Sequence, residues 1–149
     1  MALGPTLEAK AEHGVDQVLF ATDGDTTETG AANFFLVDDN RLITRNLDSS
    51  FLHGVTRSSI ITMAADLGLA IEERSLPASE IVDRASDTEM FLSGTAAVIA
   101  PVGSLITDQG TVTVRDGQPG PNTMRLRQAL VDVQSGAASD PHSWRTTVA

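Results

Sequence analysis

The stretch Glu28–Val37, ETGAANFFLV, constrains this chain most. Four large apolar residues in a row, Phe34 to Val37, follow one carboxylate, Glu28, and three small residues. Flanked by turn residues, ANFFLVDD (32–39) reads as a buried strand. A charge this close to such a strand costs desolvation energy unless something pairs with it. Glu28 is therefore a candidate functional carboxylate, or else a carboxylate bonded to backbone amides.

The remaining pattern is mixed. A short helix is expected over 6–13, a strand over 16–23, and a second strand or a turn region over 24–30. Asp38-Asp39-Asn40 turns the chain into a strand at 41–44. From Val55 the period becomes helical. Ile60, Ala64 and Leu67 share a face, Thr56 is the expected N-cap, and Gly68 stops the run. A strand at 70–76, a short helix at 77–85, two strands within 88–107 around Gly94 and a strand at 110–117 follow. Pro121 opens a last helix that places Leu126, Leu130 and Val133 together. Trp144 is expected to plug the core. The reading is one α+β domain, residues 1–149, with a mostly antiparallel sheet.

Composition removes several function classes. A net charge of −10 argues against nucleic acid and against an anionic membrane surface as partner. With no cysteine there is no disulfide, thiolate zinc site or thiol nucleophile, and the three histidines lack metal-site spacing. No run approaches the length of a membrane span, and the first residues do not resemble a secretory signal. A cytoplasmic location is expected, and no metal.

Two small-residue turns remain. HGVT (53–56) leads into a helix whose positive end suits an anion. SGTAA (93–97) lets backbone approach a ligand and offers the Thr95 hydroxyl. Each is also readable as a plain tight turn.

In order, ETGAANFFLV, LHGVTRSSI, LGLAIEERSL, MFLSGTAAVIAPV and SDPHSW resemble the branched-chain amino-acid aminotransferases. These are fold-type IV enzymes that use pyridoxal phosphate (PLP). The resemblance covers about residue 7 to the end. It implies a large-domain fold with an antiparallel sheet or pseudo-barrel flanked by helices. It also implies that Glu28 pairs with the pyridine nitrogen of PLP. Val55, Thr56, Thr95 and Ala96 match the phosphate-binding turns, and Ala31 and Ala97 line the same site.

Departures from the family shape the functional expectation. The family's catalytic lysine would lie before Met1, and Lys10, the only lysine, does not match it. There is no tyrosine. Ala31-Ala32 replace Thr-Met, and His53 replaces a proline. Transamination needs that lysine, so the chain alone is not expected to be a competent aminotransferase.

The first expectation is a truncated, PLP-independent enzyme that reuses the vacated pocket on a small molecule. A cyclisation, rearrangement or addition–elimination in natural-product biosynthesis would suit it. Glu28 and His53 would be its acid–base pair, PLP would bind weakly and reversibly without a covalent bond, and the assembly would be a homodimer. The alternatives are a subunit of a split aminotransferase completed by a lysine-bearing partner, or a non-catalytic binding module. Arg57 is expected to pair with an acidic neighbour, and Asp48 to be solvated.

Overall fold

A computed structural model describes residues 3–49 and 52–148. The side chains of Leu3 and Glu28 lie outside that description. Strand β3 (Asn33–Asp38) is the middle of a five-stranded sheet ordered β5-β4-β3-β6-β7. The other members are β4 (Arg41–Arg45), β5 (Ala70–Arg74), β6 (Glu89–Gly94) and β7 (Val98–Pro101). Successive strand residues point to opposite faces, so an unbroken apolar run needs cover on both. Phe35 and Val37 join one core with Phe91, Ile99 and Leu42, and the Phe35 and Phe91 rings stack at 4.9 Å. Phe34 and Leu36 join a second with Ile43, Met90, Leu76 and Ile81.

Helices α2 (Val55–Asp66) and α4 (Pro121–Ser135) pack into the first core through Ile60, Met63 and Ala64, and through Leu126, Leu130 and Val133. The second core takes Ile81 from α3 (Ala78–Asp83). Two small antiparallel hairpins also pack there. They are β1 (Leu19–Thr22) with β2 (Asp25–Thr29), and β8 (Ser104–Thr107) with β9 (Gly110–Thr113). Helix α1 (Leu3–His13) precedes them. Among the described residues, no helix is long and apolar enough to cross a membrane.

The α+β reading with a mostly antiparallel sheet holds, with one parallel pair. Helix α2 carries the chain from β4 to β5, and such a crossover returns the chain parallel. Several details differ from expectation; the strand expected at 110–117, for one, is only Gly110–Thr113. The 88–107 segment forms three strands rather than two. β7 ends at Pro101, which has no N–H for the ladder, and β8 leaves to pair with β9. The expected strand at 16–23 is only Leu19–Thr22. Thr56 is not the N-cap of α2. Gly54 takes that position with extended backbone, and Thr56 falls in the first turn. Trp144 is no core plug. It is 37% exposed and stacks on His142 at 4.8 Å, within a polar tail that Asp140 holds through the Trp144 and Arg145 amides.

Six charged side chains close a ring along one sheet edge. Asp38 bonds Arg41 at 2.6 Å, Arg41 bonds Glu72 at 2.8 Å, and Glu72 meets Arg74 at 3.3 Å. Arg74 bonds Glu80 at 2.6 Å, Glu80 meets Arg84 at 3.1 Å, and Arg84 returns to Asp38 at 2.8 Å. The ring ties the β3–β4 turn to β5 and α3. Burial works to raise the Asp38 carboxyl, but hydrogen bonds from Arg41 and Arg84 outweigh it and hold it below its ordinary value. Arg74 does the same for Glu80, and Arg41 for Glu72.

Candidate functional site

The small-residue turns meet at one end of β3 and β6. Asn33 pairs with Ser93 across the sheet, so the turn before β3 and the turn after β6 are neighbours. Thr29 shapes the first turn: its hydroxyl donates to Ala32 O at 3.1 Å and accepts the Ala31 amide at 3.3 Å. A Cβ at Gly94 would lie 3.0 Å from Ala31 O, so only glycine allows this approach without displacing backbone.

The third turn is brought in by Asn33. Its Nδ2 donates to Leu52 O at 3.2 Å, and a Cβ at Gly54 would collide with its Oδ1. Asn33 thus seats the loop that delivers α2. The helix's N-cap residue, Gly54, has no side chain to cap it, no other described residue does so, and its first turn holds no acidic residue. The first amides of a helix have no partner within it, and they carry a partial positive charge.

The expected site residues sit on an open face. Val55 is 83% exposed, and Thr56 is half-buried. Thr95, Ala96, Ala97, Ala31 and His53 are exposed. The His53 Nε2 lies 3.0 Å from Asp48 O. Asp48 pairs with Arg45 at 3.1 Å. Glu28 lies on β2, next to the buried Thr29, with its side chain outside the described residues. An apolar cavity lined by Ala31 and Ala97 was the expectation, and both side chains are exposed instead. A depression of about 380 Å³ lies elsewhere, against Asp38, Arg41, Arg84 and Asp87 at the charged ring.

Residue-by-residue reading missed two parts of this arrangement, Asn33 and Ser93. Asn33 stands five residues after Glu28 in ETGAAN, but its partner is 19 residues away. Ser93 is 2% exposed, and its Oγ has no hydrogen-bond partner among the described residues. Arg57 does pair with an acidic neighbour, Glu73, at 2.6 Å. Its guanidinium also donates to Arg45 O at 2.9 Å.

Residues 5–105 match the family described as amino-transferase class IV. The probable branched-chain-amino-acid aminotransferase of Staphylococcus epidermidis is 38% identical over 141 residues, covering 91% of this chain and 39% of that protein. The branched-chain-amino-acid aminotransferase of Mycolicibacterium smegmatis is 40% identical over 144 residues, covering 90% and 39%. Among solved structures, the Escherichia coli branched-chain amino acid aminotransferase aligns with a TM-score of 0.79 at 34% identity, covering 93% of this chain and 44% of that one. The branched-chain amino acid aminotransferase from Thermobaculum terrenum, in its PLP-bound holo-form, aligns with a TM-score of 0.76 at 32% identity, covering 89% and 42%. The chain thus spans about two-fifths of the curated relatives it matches. It belongs to the class IV aminotransferase family and has the fold-type IV architecture of the branched-chain enzymes.

Proposed function

We propose that this chain forms the cofactor-phosphate half of a class IV aminotransferase site, completed by a lysine-bearing segment. One observation carries the reading: Asn33, paired with Ser93 just before the Gly94–Ala97 turn, also seats the loop into α2, and the residues of both turns are open rather than enclosed. A face of this kind suits half of a site.

The donor set fits the phosphate end of PLP. The first α2 amides and the hydroxyls of Thr56 and Thr95 would hold the phosphate, and Glu28 would stand at the pyridine nitrogen. When bound, the group supplies an electron sink for amino-group transfer. This chain's part is to grip and orient. The proton-shuttling base is a lysine; Lys10 is exposed in the last turn of α1, and by the resemblance it does not match the family's lysine. The exposed apolar side chains Leu52 and Val55 mark the face where the completing segment would pack.

The test is to mix the purified chain and PLP with a separately purified lysine-bearing N-terminal segment of the E. coli relative. Transfer of the amino group from a branched-chain amino acid to a 2-oxo acid is expected only in the mixture. Turnover by this chain alone, or none in a mixture shown to associate, would overturn the reading.

The substitutions Ala31-Ala32 and His53 favour a second reading, a PLP-independent enzyme using Glu28 and His53 as an acid–base pair. On that reading the chain alone converts a small molecule, for example by cyclisation. Glu28→Gln would then lower the rate by roughly 10²–10⁴-fold.

A further inference from the structure

Residues 46–49 leave β4, and residues 52–54 lead into the site's helix start. Both ends of this connection meet one side chain. Arg57, in the first turn of α2, is 3% exposed. Its Nη2 donates to the carbonyl of Arg45, the last residue of β4, at 2.9 Å. The same nitrogen donates to Glu73 Oε2 on β5 at 2.6 Å. One guanidinium therefore joins the strand that leaves for the loop, the helix that the loop reaches, and the neighbouring parallel strand. Asn33 holds the approach to the helix through Leu52 O, two residues before Gly54.

We propose that Arg57 is the positioning residue of this site: it fixes the Gly54–Thr56 backbone for a phosphate-bearing ligand without touching that ligand. The role rests on the cofactor-half reading given above. Burial of the guanidinium under α2 and its bonds into the sheet suit anchoring rather than ligand contact. The alternative is a purely structural ion pair. Such a pair would affect folding and leave selectivity between ligands unchanged.

The discriminating readout is the ratio of affinities for PLP and for pyridoxal, which lacks the phosphate. Arg57→Met keeps most of the apolar stem volume. It also strands no buried charge on Glu73, because that side chain is 42% exposed to water. Titration calorimetry on the wild-type chain should show tighter binding of PLP than of pyridoxal. Arg57→Met should weaken PLP binding about tenfold, equal to ~1.4 kcal/mol, and leave pyridoxal binding within about twofold. Arg57→Lys, which retains a charged donor, should recover part of the loss.

If the preference for PLP persists in full in Arg57→Met, the positioning role is overturned and the cofactor-half reading stands. If the wild-type chain has no preference for PLP over pyridoxal, the cofactor-half reading itself fails, and the positioning role with it. Should Arg57→Met not fold, Glu73→Gln carries the same test. It keeps the side chain's shape, weakens its bond to Arg57 and should reduce the preference for PLP in the same direction.

Discussion

The two longest sheet-packed helices begin in opposite ways. At α4, the Glu89 carboxylate reaches from β6 to the helix start. It accepts the Thr123 amide at 2.7 Å and the Asn122 amide at 3.1 Å, and it lies 3.5 Å from Arg115. Pro121 at the first helical position has no amide to satisfy. The protein has closed this helix start with its own anion, and Glu89 is 5% exposed. At α2, no side chain among the described residues accepts from the first amides, and Val55 faces solvent. A helix start completed from within serves the fold, whereas one left open can serve a ligand.

The largest predicted effect is at the closed helix. Glu89→Ala strips two amides of their partner and should cost about 3 kcal/mol in urea unfolding, because charge-assisted bonds to buried amides are among the stronger contributions. PLP affinity at α2 should not change. A cost below about 1 kcal/mol would mean that the two starts are energetically alike, and the comparison would fail.

A smaller effect is expected at the charged ring. Arg84→Met opens it between Asp38 and Glu80 and should cost about 1 kcal/mol at neutral pH, as for partly exposed pairs. The pH dependence has a definite sign. The Asp38, Glu72 and Glu80 carboxyls are held below their ordinary values in the fold. The unfolded chain therefore takes up protons first as pH falls. The ring's contribution is complete above the ordinary carboxylate range, near pH 4–5, and is lost below it. The urea midpoints of wild type and Arg84→Met should differ at pH 7 and converge as pH falls below the ordinary carboxylate range. A gap that stays constant with pH would assign the loss to packing.

The smallest stability effect is at the open helix. Val55→Asp puts a built-in anion where α2 has none. It should raise stability by about 0.5 kcal/mol through the helix dipole and weaken PLP binding by competing for the same amides. Unchanged PLP affinity would mean that the ligand does not use this helix start.

Local pattern made much of this molecule legible. The β3 run, the turn at Asp38-Asp39-Asn40 and the buried faces of α2 and α4 follow from periodicity and turn chemistry. The five motifs carried the family. Interactions closed only by tertiary approach stayed hidden. Glu89 reads as a polar residue in a strand, and nothing near it announces that it caps a helix 33 residues later. Within the AIEER strand, Glu72 and Arg74 join the ring while Glu73 turns to Arg57. Alternation puts neighbours on opposite faces, but the partners come from distant segments. Exposure of Ala31, Thr95 and Ala97 was illegible for the same reason, since small residues suit a cavity lining and an open turn equally.

The central claim is that this chain grips the cofactor's phosphate and takes its reactive lysine from elsewhere. Borohydride reduction of the purified chain with PLP, followed by intact-mass and peptide mass spectrometry, tests it most directly. The account predicts no stoichiometric adduct on the chain alone, and one adduct per complex, on the segment's lysine, once the lysine-bearing segment is added. A single stoichiometric adduct on Lys10, accompanied by amino-group transfer, would contradict it.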